Sequence, residues 1–204
     1  IMIHYDGNSW NEIDSGTIQY LKEVFGFSAN NIYATGSLGE VVHYDGSGWS
    51  SIHDHKILGQ PPTEDGSYFS YNYFMSIWGN NPSNLYFAGY QSMGKFGGIL
   101  KYDGTTWEHE EDNLIANIYA ETSGDWCGVP GELGCKLYGI HGSSSNDIYA
   151  VGYGGVILHY DGNSWSGDLD TSDLYKFYQD VLTFGDEVFI VGSGLYGTFL
   201  HGTK

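Results

Sequence analysis

The chain has 204 residues, with 31 Gly, 4 Pro and 17% aromatic side chains that include 18 Tyr and 6 Trp. That length suits one all-β domain or one ring of small repeats, and that composition suits many short strands joined by tight turns. Its 25 acidic residues stand against 7 basic ones, all Lys, for a formal net charge of −18. Such a surface repels a phosphate backbone and an anionic bilayer, so nucleic acid and direct membrane insertion are excluded as expected partners. No run of about 18 apolar residues marks a membrane-spanning helix.

In chain order, the first feature is a motif that returns. His4-Tyr5-Asp6-Gly7-Asn8-Ser9-Trp10 is followed by His43-Tyr44-Asp45-Gly46-Ser47-Gly48-Trp49, by Lys101-Tyr102-Asp103-Gly104-Thr105-Thr106-Trp107 and by His159-Tyr160-Asp161-Gly162-Asn163-Ser164-Trp165. Leu200-His201-Gly202 is a broken fifth copy. An Asp side chain accepts a hydrogen bond from the backbone two residues on and Gly accepts positive φ, so each Asp-Gly predicts a hairpin, with the Trp packing between neighbouring units. Asp6, Asp45, Asp103 and Asp161 are therefore expected to be structural, and so are His4, His43, His159 and His201, whose position is taken by Lys101 in one copy.

Ahead of each full later motif lies a second pattern, a glycine followed by an apolar-Tyr segment and another glycine. Its copies are Gly26 with Asn31-Ile32-Tyr33-Ala34-Thr35-Gly36, Gly79 with Asn84-Leu85-Tyr86-Phe87-Ala88-Gly89, Gly142 with Asp147-Ile148-Tyr149-Ala150-Val151-Gly152, and Gly185 with Val188-Phe189-Ile190-Val191-Gly192. One strand ends near the first glycine, a second is the Ile-Tyr segment, a third precedes the Asp-Gly, and a fourth carries the Trp. Four short antiparallel strands recurring in this way predict an all-β propeller of four-stranded blades, five in number, with four as the alternative. The expected divisions are a tail of the first blade at 1–23, blades at 24–74, 75–136 and 137–180, and a last blade at 181–204, within one domain. The sequence opens not on a basic-then-apolar leader but on Ile1-Met2-Ile3 inside a repeat, so the chain reads as a fragment or trimmed product whose first blade draws strands from upstream or from another subunit.

The repeat resembles the bacterial pattern Trp-Gly-x-x-x-x-Asp-Val-Tyr-Ala-Val-Gly followed by Gly-x-Ile-Leu-His-Tyr-Asp-Gly-x-x-Trp of secreted and surface β-propeller proteins, with residues 142–165 nearest to it. The resemblance implies a propeller in an extracellular or cell-surface setting. The tail is also similar in its turn chemistry to the Asp-box hairpin of sialidases, one residue shorter between Asp and Trp. Sialidase chemistry does not carry over, because those enzymes clamp a carboxylate with arginines and this chain has none.

The connections between blades vary far more than the blades. One long insertion carries His53-Asp54-His55 and Tyr68-Phe69-Ser70-Tyr71-Asn72-Tyr73-Phe74; the other carries Glu108-His109-Glu110-Glu111-Asp112 and a loop bounded by Cys127 and Cys135. Pro and Gly inside that loop favour a Cys127–Cys135 disulfide, which would point to an oxidising compartment; a two-thiol metal site is the alternative. Loops on a rigid scaffold usually carry binding residues, so Tyr68, Tyr71, Tyr73, Trp126, His53 and His55 are the candidate ligand contacts, for a protein or a glycan. No catalytic motif is present and no catalytic residue is expected. No cofactor is required, Ca²⁺ at the acidic runs being the one cation considered. A self-associating surface subunit and a lectin-like propeller are the competing readings, with a glycosidase-like enzyme behind them.

Overall fold

The computed structural model describes residues 1–53, 71–91, 97–110, 136–169, 176–194 and 196–204, and their regular structure is all β. A hairpin of β1 (Met2–Tyr5) and β2 (Trp10–Ile13) comes first. Three four-stranded antiparallel sheets follow: β3 (Leu21–Ser28), β4 (Asn31–Gly36), β5 (Val41–Tyr44) and β6 (Trp49–His53); β7 (Tyr71–Asn81), β8 (Asn84–Gln91), β9 (Gly97–Tyr102) and β10 (Trp107–His109); β11 (Leu137–Ser144), β12 (Asp147–Gly152), β13 (Val156–Tyr160) and β14 (Trp165–Leu169). The last sheet has three strands, β15 (Phe177–Phe184), β16 (Glu187–Ser193) and β17 (Gly197–Thr203). Strands neighbour one another in chain order within every sheet, and the first strands touch in sequence, β3 with β7, β7 with β11 and β11 with β15. These are propeller blades fanned about one axis.

The sheets begin at Leu21, Tyr71, Leu137 and Phe177, against blade starts read from the sequence at 24, 75, 137 and 181, the third of which coincides. Each first strand contains a β-bulge near its start, at Lys22, Met75, Tyr138 and Gln179. An extra residue in one strand of a pair shifts the pattern that a period-two reading follows.

The bulge also explains the second glycine of every head. A Cβ added to Gly152 would lie 1.9 Å from the carbonyl oxygen of Lys136, and Gly36, Gly89 and Gly192 meet the carbonyls of Tyr20, Tyr73 and Phe177 at 1.9, 2.1 and 2.1 Å. Only glycine lets the second strand pass that close to the entry of the first.

Apolar residues fill the spaces between blades. Phe74, Ile77, Leu85, Phe87 and Leu100 of the second full blade pack with Tyr33 and Val41 of the first, with Phe25, Phe27 and Trp107 against them. Trp78, Tyr86, Ala88 and Ile99 meet Leu137, Ile140, Ile148, Ala150, Val156 and Leu158 at the next junction. Val151 of the third blade joins Tyr178, Val181, Val188 and Ile190 of the last.

The hairpin chemistry repeats at atomic level. Oδ1 of Asp6, Asp45, Asp103 and Asp161 accepts two backbone N–H bonds each, from Asn8 and Ser9, Ser47 and Gly48, Thr105 and Thr106, and Asn163 and Ser164, at 2.7–3.1 Å. The glycine that follows has φ between 94° and 97° in all four turns, Gly7, Gly46, Gly104 and Gly162. Each turn is closed by a Tyr–Trp pair across the strands, Tyr5–Trp10, Tyr44–Trp49, Tyr102–Trp107 and Tyr160–Trp165, with centroids 4.5–5.4 Å apart. Trp107 and Trp165 pack into the junctions between blades, while Trp10 is 67% exposed.

Candidate functional site: a tyrosine-lined end of the blades

The Asp-Gly turns lie at one end of the blades. Strand starts of β7, β11 and β15, strand ends of β4, β8 and β12, and the last residue of β6 lie at the other, as the pairings Val41–His53, Phe74–Gly89, Leu137–Gly152 and Phe177–Ser193 require. The chain leaves the described structure after His53 and Glu110 and re-enters at Tyr71 and Lys136 at this second end.

Tyrosines converge here. Tyr73 and Tyr90 stack with centroids 5.0 Å apart, and Tyr138 approaches Tyr90 at 6.5 Å. Lys136 holds its Nζ 4.4 Å from the centre of the Tyr90 ring, a cation-over-ring contact. Tyr153 meets Phe177 edge to face at 4.7 Å. All five polar residues are half-buried.

Local backbone geometry produces this cluster. Tyr138 is the bulge residue of β11, and a bulge re-aims a side chain. Tyr90 and Tyr153 directly follow the close-packed Gly89 and Gly152, and Tyr153 N–H donates to the Lys136 carbonyl at 2.8 Å. Tyr73 and Lys136 occupy equivalent positions, one residue before Phe74 and Leu137, which pair with Gly89 and Gly152.

Burial sets the electrostatics. It pushes the Tyr138 phenol up to about 12, with the Tyr90 and Tyr153 phenols adding to the shift, and raises Tyr90 with help from Tyr73. Burial lowers Lys136. The Tyr90 and Tyr138 phenols thus stay neutral hydrogen-bonding groups through the physiological range.

A second concavity, about 460 Å³, lies between the N-terminal hairpin and the first full blade, lined by His4, Ile13, Asp14, Ala29, Ile32, Tyr44, Ser47, Gly48 and Trp49. Its walls include the Asp45 turn, whose backbone donors are already taken by the Asp side chain.

Of the residues expected from sequence to contact a ligand, Tyr73 is in the cluster. His53 is 3% exposed, its Nδ1 lies 2.6 Å from the Gly39 carbonyl and its ring is 4.4 Å from Trp107, which is the setting of a core residue. His55, Tyr68 and Trp126, the side chain of Tyr71, and Cys127 and Cys135 lie outside the described residues. In the second acidic run Glu110 pairs with Lys101 at 3.3 Å, and among the described residues no three His, Cys, Asp or Glu side chains gather as a cation site. Tyr90, Lys136, Tyr138 and Tyr153 are functional candidates that sequence reasoning missed. One signal was present, a tyrosine immediately after the second head glycine in two of the four copies.

All-β blades in chain order, joined face to face, define the chain as a β-propeller of several blades. The WD40 repeats of RRP9 share the fold with a TM-score of 0.55 and 11% identity, covering 87% of this chain and 46% of that one. YCF48 bound to a D1 peptide matches 97% of this chain and 70% of its own, with a TM-score of 0.43 and 14% identity. The GH74 enzyme of Niastella koreensis matches 93% and 36%, with a TM-score of 0.47 and 15% identity. The chain therefore spans less than half the length of the RRP9 and GH74 chains, and identities this low speak to fold alone. No protein-family model and no curated protein matches the sequence.

Proposed function

We propose that the protein is a non-catalytic binding module of the extracellular or cell-surface kind, and that it holds a polypeptide ligand with basic side chains at the tyrosine-lined end. The observation that carries this reading is the cluster of Tyr73, Tyr90 and Tyr138 with Lys136, at the end from which the long connections depart. Half-buried tyrosines give a large contact area at low entropic cost, with hydroxyls left for hydrogen bonds. The Lys136 ammonium adds a donor suited to main-chain carbonyls. The sequence carries the opposite charge in excess, with 25 acidic residues against 7 lysines. Residues 54–70 and 111–135 together hold Asp54, Glu64, Asp65, Glu111, Asp112, Glu121, Asp125 and Glu132 against Lys56 alone.

A glycan is the second reading, and ring geometry weighs against it. Sugar stacking needs an open aromatic face, whereas Tyr90 is already stacked on Tyr73 and approached by the Lys136 ammonium. The upward shift of the Tyr90 and Tyr138 phenols favours binding over acid–base chemistry.

Selection from a random peptide library displayed on phage, run in parallel with a glycan array, tests the proposal. Lys- and Arg-rich peptides should be enriched, and their affinity should fall about tenfold on Tyr90→Ala, the loss of roughly 1.4 kcal/mol of contact. Enrichment of glycans alone, or peptides that bind Tyr90→Ala unchanged, would overturn it.

A further inference from the structure

Side chains on the innermost strands tie each full blade to the next by accepting a backbone N–H from it. At the first junction Glu23 Oε2 accepts the N–H of Ile77 at 2.5 Å, and at the second Ser76 Oγ accepts the N–H of Ile140 at 3.1 Å. At the third junction, between β11 and β15, the acceptor is a histidine. Thr183 N–H donates to His141 Nδ1 at 3.1 Å, and the Thr183 hydroxyl lies 2.9 Å from the same nitrogen.

A backbone N–H can only donate, so this geometry fixes the state of the ring: Nδ1 presents its lone pair and the proton sits on Nε2. A second proton would have to enter at Nδ1, pointing at the Thr183 N–H. The Thr183 hydroxyl can rotate and accept it, but the amide cannot, and Thr183 is 5% exposed. A buried N–H that loses its acceptor costs about 1–3 kcal/mol. The other two junctions respond differently to acid. The Ser76 hydroxyl does not titrate, and a Glu23 carboxyl protonated on one oxygen still accepts through the other.

Charged groups act on the ring from two sides. Asp180, the charged residue of β15, favours the imidazolium, while Lys204 opposes it, its Nζ held by Ser143, Asp147 and the Gly185 carbonyl. The β12 strand brings Tyr149 opposite His141, and its Asp147 is already engaged by Lys204 and His159. Neither β7, which supplies Trp78 at 6.2 Å between ring centroids, nor β8 contains a charged residue. Burial is the largest influence and lowers the ring below its ordinary value of 6.5.

We infer that His141 is an acid-released latch between the third and last blades, closed while the neutral ring holds the Thr183 N–H and opened when a proton enters at Nδ1. The apolar contacts of Val151 with Tyr178, Val181, Val188 and Ile190 do not titrate, so the junction loosens locally while the blades stay folded. With the folded value below the unfolded one, the contribution of His141 is complete above about pH 6.5 and is lost as the pH falls from there through the folded value. The latch lies on the far side of β11 from the tyrosine cluster and does not depend on what binds there.

Residue-resolved amide exchange of the chain at pH 7 and pH 5, expressed as protection factors, tests the latch. Ile140 is the internal reference, since its N–H is held at a blade junction by an acceptor that does not titrate. Protection at Thr183 should fall about tenfold relative to Ile140 between the two pH values. His141→Asn offers an amide oxygen in place of Nδ1, so Thr183 should be equally protected at both. Nitrogen-15 shifts of the parent's imidazole, which need no variant, should show the proton on Nε2 at pH 7. Thr183 protection that follows Ile140 down to pH 5, a drop that persists in His141→Asn, or a ring protonated on Nδ1 at pH 7 would overturn the inference.

Discussion

His159 lies flat against Tyr149, with ring centroids 4.3 Å apart and planes 17° apart, while its Nε2 stands 3.0 Å from Asp147 Oδ1. The same stack recurs as His43 on Tyr33 at 4.4 Å and His201 on Phe189 at 4.6 Å, with Nε2 directed to Asn31 and Glu187. In the remaining blade Lys101 sits over Tyr86 at 5.5 Å and pairs with Glu110. These cross-strand contacts brace the second strand of a blade against the third.

From this follows an asymmetry between two substitutions. His159→Ala should cost about 1 kcal/mol, the size of one cross-strand pair with its hydrogen bond. His159→Lys should cost less, because Lys101 already fills this position over a tyrosine. Urea unfolding of both variants measures the difference.

The glycine that lets the second strand pass the bulge is the most sensitive backbone position. Gly152→Ala places a Cβ 1.9 Å from the Lys136 carbonyl and should cost about 3 kcal/mol, the upper range for overpacking. Gly48→Ala, where nothing lies within 4 Å, should stay within about 0.5 kcal/mol of the parent. Thermal unfolding of the pair separates close approach from a general effect of losing glycine.

Acid sensitivity resides in the turns. The Ser47 hydroxyl, with the Ser47 and Gly48 backbone N–H groups, lowers Asp45 from 3.8 to about 2, and the Thr106 and Thr105 donors hold Asp103 well below the carboxylate range too. A depressed folded value means that the turn's contribution is complete above pH 3.8 and is lost as the pH falls through about 2. A carbon-13 titration of the side-chain carboxyls should show the Asp45 midpoint near pH 2. A midpoint at the ordinary value would remove the hydrogen bonds from the account.

At the alkaline end, burial keeps Tyr138 protonated until about pH 12. Raised above its unfolded value, the phenol favours the folded state below about pH 10, and that contribution disappears as the pH climbs through its folded value. Ultraviolet titration of phenolate absorbance should lose a component near pH 12 in Tyr138→Phe, and an unchanged curve would remove the burial-driven shift from the account.

Much of the blade was legible because its chemistry is local. Asp103, Gly104 and Trp107 signal a hairpin by themselves, and the structure builds that hairpin from the expected donor and φ. The framework role expected of His159 also follows from a repeat position that tolerates Lys. The ligand-facing cluster was not legible in the same way. Tyr138 owes its direction to a bulge, which shifts the alternation a strand pattern depends on, and Tyr90 and Tyr138 meet only because two blades stand side by side. His53 shows the reverse case. Its neighbours in sequence suggested an exposed binding segment, but its pairing with Val41 carries it into the junction beside Trp107.

The measurement that bears most directly on the proposed binding role is amide hydrogen exchange of the chain with and without a basic peptide selected against it. Protection is expected at Tyr73, at Tyr90 and across residues 136–138, with the Asp45, Asp103 and Asp161 turns at the far end unchanged. Protection confined to those turns, or to the hairpin at residues 2–13, would contradict a binding surface at the tyrosine-lined end.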